Sequence, residues 1–215
     1  MNTIDQVGIY NMALAAVGVS QFVQSPDDGS LQSRTCNVMW ESCRDQCLQD
    51  FPWGFASRFA ALQLLSKTTP GWLYTYGYPT DCLQARVIVP AWLTIPNSST
   101  FLATWLLNRD RMHKIPFAVV ENEVEGGLAI VCNEGTPTLG YTARVTTPAL
   151  WSPAFANALS WLLATRIIAP LSANPQYAIT AGQAYQAALL RAGAQSMNEG
   201  QSKEEPESEL ISVRG

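Results

Sequence analysis

The stretch from Trp151 to Arg191 limits the folds open to this chain more than any other. Ser152 before Pro153 marks a helix start, because serine can cap a free N–H of the first turn and proline has no N–H to lose there. Over residues 154–171 (AFANALSWLLATRIIAPL) only Asn157, Ser160, Thr165 and Arg166 are strongly polar, and they share no face. A helix apolar nearly all round is either the buried centre of a domain or a membrane span. A span needs about 20 apolar residues. This run carries Asn157 and Arg166 and stops at Pro170, so a buried core helix is expected and a membrane span is not. After the 172–175 loop a second helix is expected over 176–194, with Tyr177, Ala181, Ala184, Ala188 and Arg191 along it. Its small residues allow close packing, which makes the C-terminal half an αα-hairpin.

The N-terminal part has the same texture. Thr3 and Gln6 form a capping box, and Ile4, Val7, Tyr10, Leu14 and Val17 recur at helical spacing before Gly18. A second helix over 31–50 presents Cys36, Trp40, Cys43 and Cys47 as one stripe. Near Gly54 the period changes. The 58–65 segment is a short apolar run, and strands are expected at 72–76, 82–89, 117–120, 128–132 and 139–145. A short helix is expected near 100–108. The fold expected is α+β but mainly α: an antiparallel helical bundle with an inserted small antiparallel β module and an extended tail. Its body is discontinuous, residues 1–55 and 147–199. The β-rich insertion is 56–146, with an extra loop or helix at 90–116, and the tail is 200–215.

Charged residues are only 14% of the 215, against about 25% in an ordinary soluble domain. Either the core is unusually large or the surface is covered by copies or partners. The net charge of −4 does not suit a protein that grips nucleic acid by its phosphates. Five cysteines, an odd number, with no secretory n- and h-region at the N-terminus, point to synthesis in a reducing cytoplasm. Cys43 and Cys47, one turn apart, could share a metal. Zinc wants about four ligands, and the one histidine, His113, is distant in sequence, so buried reduced thiols are expected and no metal or other cofactor.

Little else suggests chemistry. There is no P-loop, dinucleotide fingerprint, HExxH or CxxC. His113 lies among Arg109, Arg111 and Lys114 beside an expected helix end, where cations suit the dipole. This basic cluster could line a DNA channel or form a charged surface loop. Glu121, Glu123 and Glu125 alternate as strand residues do, so a carboxylate pair at glycosidase spacing is conceivable. They flank a Gly-Gly turn, where solvated carboxylates are ordinary.

An ordered set of residues runs through the chain: Ile4…Asn11-Met12-Ala13-Leu14…Val17-Gly18, then Trp53…Ser57-Arg58-Phe59-Ala60…Leu62. It continues with Gly71-Trp72…Tyr74…Tyr76…Pro79…Asp81-Cys82-Leu83…Arg86. It ends with Tyr141-Thr142…Arg144-Val145…Pro148…Trp151-Ser152-Pro153…Phe155…Ala158-Leu159…Leu163-Ala164. This set, over residues 3–198, resembles the head-to-tail adaptor proteins of tailed bacteriophages, including the tail tubular protein A group. The resemblance implies a helical bundle with a β-rich insertion and a virion subunit that is not an enzyme, made in the host cytoplasm and built into the head–tail junction. It implies a dodecameric ring under the portal protein that presents a platform to the downstream tail or nozzle protein while double-stranded DNA passes through the centre. DNA must slide through such a ring, and an acidic subunit suits that better than a basic grip. The 90–116 stretch is longer than the family pattern requires.

The resemblance also implies that the C-terminal segment reaches the portal. Residues 200–215 are polar and acidic, and Leu210, Ile211 and Val213 are the only large apolar side chains there, followed by Arg214. Ordering a backbone costs roughly 1–2 kcal/mol per residue, which this composition cannot offset alone, so an external holder is expected. Two other classes remain open from the residues: a tail-associated peptidoglycan-degrading enzyme using the glutamates at 121–125, and a cytoplasmic binding module outside any virion.

Overall fold

The computed structural model describes residues 4–66, 69–91, 115–122, 126–171 and 176–199. Arg109, Arg111, His113, Lys114, Glu123, Glu125, the expected helix near 100–108 and the whole 200–215 segment lie outside these residues.

Four helices carry one core. Helix α1 is Gln6–Ala16, capped by Asp5, whose side chain accepts from the N–H of Gly8 at 2.7 Å. The cap is therefore Asp5 rather than the expected Thr3, which lies outside the described residues. The helix ends as expected: Gly18 takes φ +76°, its N–H donates to the carbonyl of Ala15, and that of Val19 to the carbonyl of Leu14. These paired bonds satisfy carbonyls the helix end leaves free, and they need a residue that tolerates positive φ. Helix α2, Leu31–Asp50, starts at Ser30 and buries the expected stripe of Cys36, Trp40, Cys43 and Cys47. Helix α3, Pro153–Leu171, is capped by Ser152, whose Oγ accepts from the N–H of Phe155 at 3.2 Å. It tolerates Pro170 in its last turn. Helix α4, Gln176–Glu199, runs back along it.

Helix α3 packs against α1, α2 and α4. By length and composition alone it could cross a membrane, and 56% of its most apolar window is buried inside the chain. Aromatic rings tie the four segments around it. Tyr10 meets Trp40 edge-on at 5.2 Å, Trp40 meets Trp151 at 5.8 Å, and Phe155 lies 5.1 Å from both Trp151 and Trp53. The two loop tryptophans are also pinned by hydrogen bonds. Trp53 Nε1 donates to the carbonyl of Cys47 at 2.7 Å, and Trp151 Nε1 to that of Val145 at 3.1 Å.

The β part overturns the expectation of a mainly helical bundle carrying a small β module. The described residues are about 48% helix and 21% strand, and the six strands form two antiparallel sheets. The strands are β1 Ser57–Ala61, β2 Tyr74–Gly77, β3 Cys82–Val89, β4 Phe117–Glu121, β5 Leu128–Cys132 and β6 Thr138–Ala143. One sheet has the order β1-β6-β3 and the other β2-β5-β4. They share a second core of Tyr76, Ile88, Ile130, Cys132, Leu139, Tyr141 and Ala143, with residues from both sheets. The fold is α+β, with a two-sheet layer that has its own interior.

The sequence expectation failed at the apolar run after Gly54. Its first residues form β1, paired with β6 from Ser57↔Thr142 to Ala61↔Thr138. The chain then crosses to the other sheet. The N–H of Leu65 donates to the carbonyl of Thr75 at 2.8 Å, and the N–H of Gly77 to the carbonyl of Gln63 at 2.9 Å. One continuous run thus edges both sheets, as strands do where they turn a corner between layers. Both faces of β5 are buried from Ala129 to Cys132, so it lacks the alternation that marks a half-buried strand.

Candidate interaction surface

Helix α2 is where the two cores are joined. Its Asp45 carboxylate takes two arginines. Arg44 Nη2 lies 2.8 Å from Oδ1, and Arg144, just past β6, donates Nε to Oδ2 at 3.0 Å. One helical turn on, Gln49 bridges to β3 twice: its Nε2 donates to the carbonyl of Leu83 at 3.1 Å, and Arg86 Nη2 donates to its backbone carbonyl at 2.6 Å. Arg86 Nε also donates to Thr142 Oγ1 on β6 at 3.0 Å. Burial lowers the Arg86 pKa from the ordinary arginine value, and the Asp50 charge opposes that shift. On the other flank, Arg166 of α3 donates to Gln46 Oε1 at 3.0 Å. At the helix end Tyr185 of α4 donates its hydroxyl proton to Asp50 Oδ2 at 2.6 Å. Burial, then the neighbouring Cys47 and Asp50, raise the tyrosine pKa.

Hydrogen bonds and ion pairs cross this seam, and Leu83 of β3 packs against the helical core beside them. Arg44 is 7% exposed, so its charge needs Asp45. Within the β layer, Asp81 also takes two partners, at a more exposed position. It pairs with Arg58 and accepts from Tyr141 Oη at 3.0 Å. The sequence reading singled out none of these as site residues. The available signal was charge in an apolar setting: Arg86 between Ala85 and Val87, and Arg144 between Ala143 and Val145.

The thiols are placed for packing. Cys36, Cys43 and Cys47 are free and buried. Burial pushes Cys36 up to about 12 and Cys43 to about 11, and raises Cys47 as well. Such thiols stay protonated at neutral pH and are poor nucleophiles. No group of three or more metal-ligating side chains occurs among the described residues. Glu121 closes β4 opposite Leu128 and is exposed; its two expected companions lie outside the described residues.

Exposed apolar side chains occur on both parts of the molecule. On the helices they include Leu31, Val38, Ile179 and Leu190, and on the β2-β5-β4 side Leu64, Leu73, Val119 and Leu128. With the seam facing inward, these are the surfaces through which the chain can meet something else. No family model matches the chain, and no curated protein matches it.

Proposed function

We propose that this chain is a structural subunit of a ring-shaped adaptor at the head–tail junction of a tailed phage. Copies assemble around the DNA passage, in a dodecamer on the resemblance, between the portal protein and the downstream tail component. The chain performs no reaction and holds no cofactor in this reading. Helix α3 is a core helix in it, and the chain is made in the host cytoplasm before entering the virion.

One observation carries the reading most. Several residues on which the resemblance rests pack the two cores or join them. Trp53, Trp151 and Phe155 form the aromatic centre. Arg58, Asp81 and Tyr141 brace the β layer. Arg86 and Arg144 carry the seam to α2. A subunit that transmits load between two large neighbours needs its halves fixed against each other, and exposed apolar side chains on both halves suit contacts with more than one neighbour. The test is co-migration with purified cognate portal rings on a sizing column. The reading expects stable co-elution; separate elution at micromolar concentrations contradicts it.

A further inference from the structure

We infer that the β layer opens as a unit while the helical body stays folded, and that the bonds α2 makes to the strands hold it shut. The two halves keep separate interiors. The buried side chains of the helical core come from residues 9–56 and 145–192, and those of the β core from residues 76–143. The chain enters and leaves the β layer at one place. Ser57, the first residue of β1, faces Thr142 of β6 across the ladder, and facing residues of antiparallel strands lie about 5 Å apart. Both crossings are fastened on the helical side of that neck. Trp53 Nε1 donates to the carbonyl of Cys47 and Trp151 Nε1 to that of Val145. Ser57 Oγ donates to the carbonyl of Trp53 at 2.8 Å, and Phe155 lies against both indoles. The helical core therefore stays closed when the strands beyond the neck come apart.

Among the described residues, a short set of contacts ties the layer to the helices beyond the neck. Gln49 Nε2 donates to the carbonyl of Leu83, Arg86 donates to the carbonyl of Gln49, and Arg144 reaches Asp45. Leu83 is the one strand side chain among the described residues that packs against the helical core. The two halves also differ in strength. Four helices and both crossing segments feed the helical core, which has several times as many buried members as the β core. Apolar burial is the main stabilising contribution, and a fold opens first where least of it is gathered. Opening the layer uncovers Leu83 and frees Arg86 from Gln49. It leaves the ladders inside α2, α3 and α4 and the rings around Phe155 in place. The result is a subunit whose β half can come apart and re-form while its helical half keeps its position.

The inference does not depend on the ring reading and is tested on the full chain. Native-state hydrogen exchange is followed by mass spectrometry of peptides through a urea series below the unfolding transition. Amides of β5 and β6 are expected to exchange through an opening that amides of α3 do not share, with the smaller urea dependence of a partial unfolding. Gln49→Ala is the discriminating variant. Gln49 is exposed on α2 and its side chain donates to β3, and alanine suits a helix. The substitution should speed exchange in β5 and β6 about two- to fivefold, as the loss of one half-exposed hydrogen bond does. It should leave α3 unchanged. Strand and helix amides that follow one exchange curve at every urea concentration overturn the inference, as do helices that open before the strands. A Gln49→Ala variant that speeds α3 as much as the strands, or leaves the strands unchanged, overturns it as well.

Discussion

Asp45 on α2 and Arg144 beyond β6 are 99 residues apart in sequence and 3.0 Å apart in space. The bond joins the helical core to the β layer, and Arg44 shares the same carboxylate from inside. Removing either end has unequal consequences. Asp45→Ala leaves Arg44, 7% exposed, without its counter-charge. Uncompensated burial of a charge is the expensive case, so a loss of about 3–5 kcal/mol is expected. Arg144→Ala removes a half-exposed partner and should cost only about 0.5 kcal/mol. Urea denaturation of both variants checks the asymmetry; equal losses would show that the buried arginine does not depend on Asp45.

The aromatic centre sets the stability of the helical half. Phe155 is fully buried and touches Trp53, Phe55 and Trp151. Phe155→Ala should cost about 3–5 kcal/mol and shift the tryptophan fluorescence, because two indoles lose their neighbour. A loss below 1 kcal/mol would mean that the rings are not packed around it.

Gly18 should resist substitution. Its φ of +76° closes α1, and a Cβ there would sit 3.3 Å from Tyr177 Oη. Gly18→Ala should lower stability by about 1–2 kcal/mol. Pairing it with Tyr177→Ala removes the steric part and leaves the backbone part, so the double variant should recover only a fraction of the loss.

The buried thiols give the protein an alkaline limit. Cys36 is raised from 9.0 to about 12 and Cys43 from 9.0 to about 11 by burial. Below pH 9 both states keep the proton and the native thiols contribute fully. Above it the unfolded chain loses protons that the folded chain holds, so stability falls as pH rises from about 9 toward 11. Denaturation midpoints across that window check the sign. At pH 8 thiol titration should find these cysteines slow to react when folded and fast once denatured. Stoichiometric zinc in the purified protein would contradict their assignment to the core.

Much of the helical half could be read from residues, because capping and periodicity are local. Ser152-Pro153, Gly18 and the Cys36–Trp40–Cys43–Cys47 stripe each ended up where their neighbours in sequence required. The weight of the β part could not be read in the same way. The run after Gly54 divides between two sheets, and β5 is buried on both faces. Neither leaves a two-residue alternation. The seam is non-local for the same reason: nothing near Asp45 in sequence announces Arg144, and nothing near Gln49 announces Arg86.

The central claim is that this chain is an adaptor subunit between portal and tail, and the mass of the particle it forms with cognate portal rings tests that most directly. Native mass spectrometry should show portal rings gaining whole multiples of the 23.5 kDa chain, closing at twelve copies. Chains lacking residues 200–215 should stay folded and add nothing. Portal rings of unchanged mass beside a free 23.5 kDa chain would contradict the account.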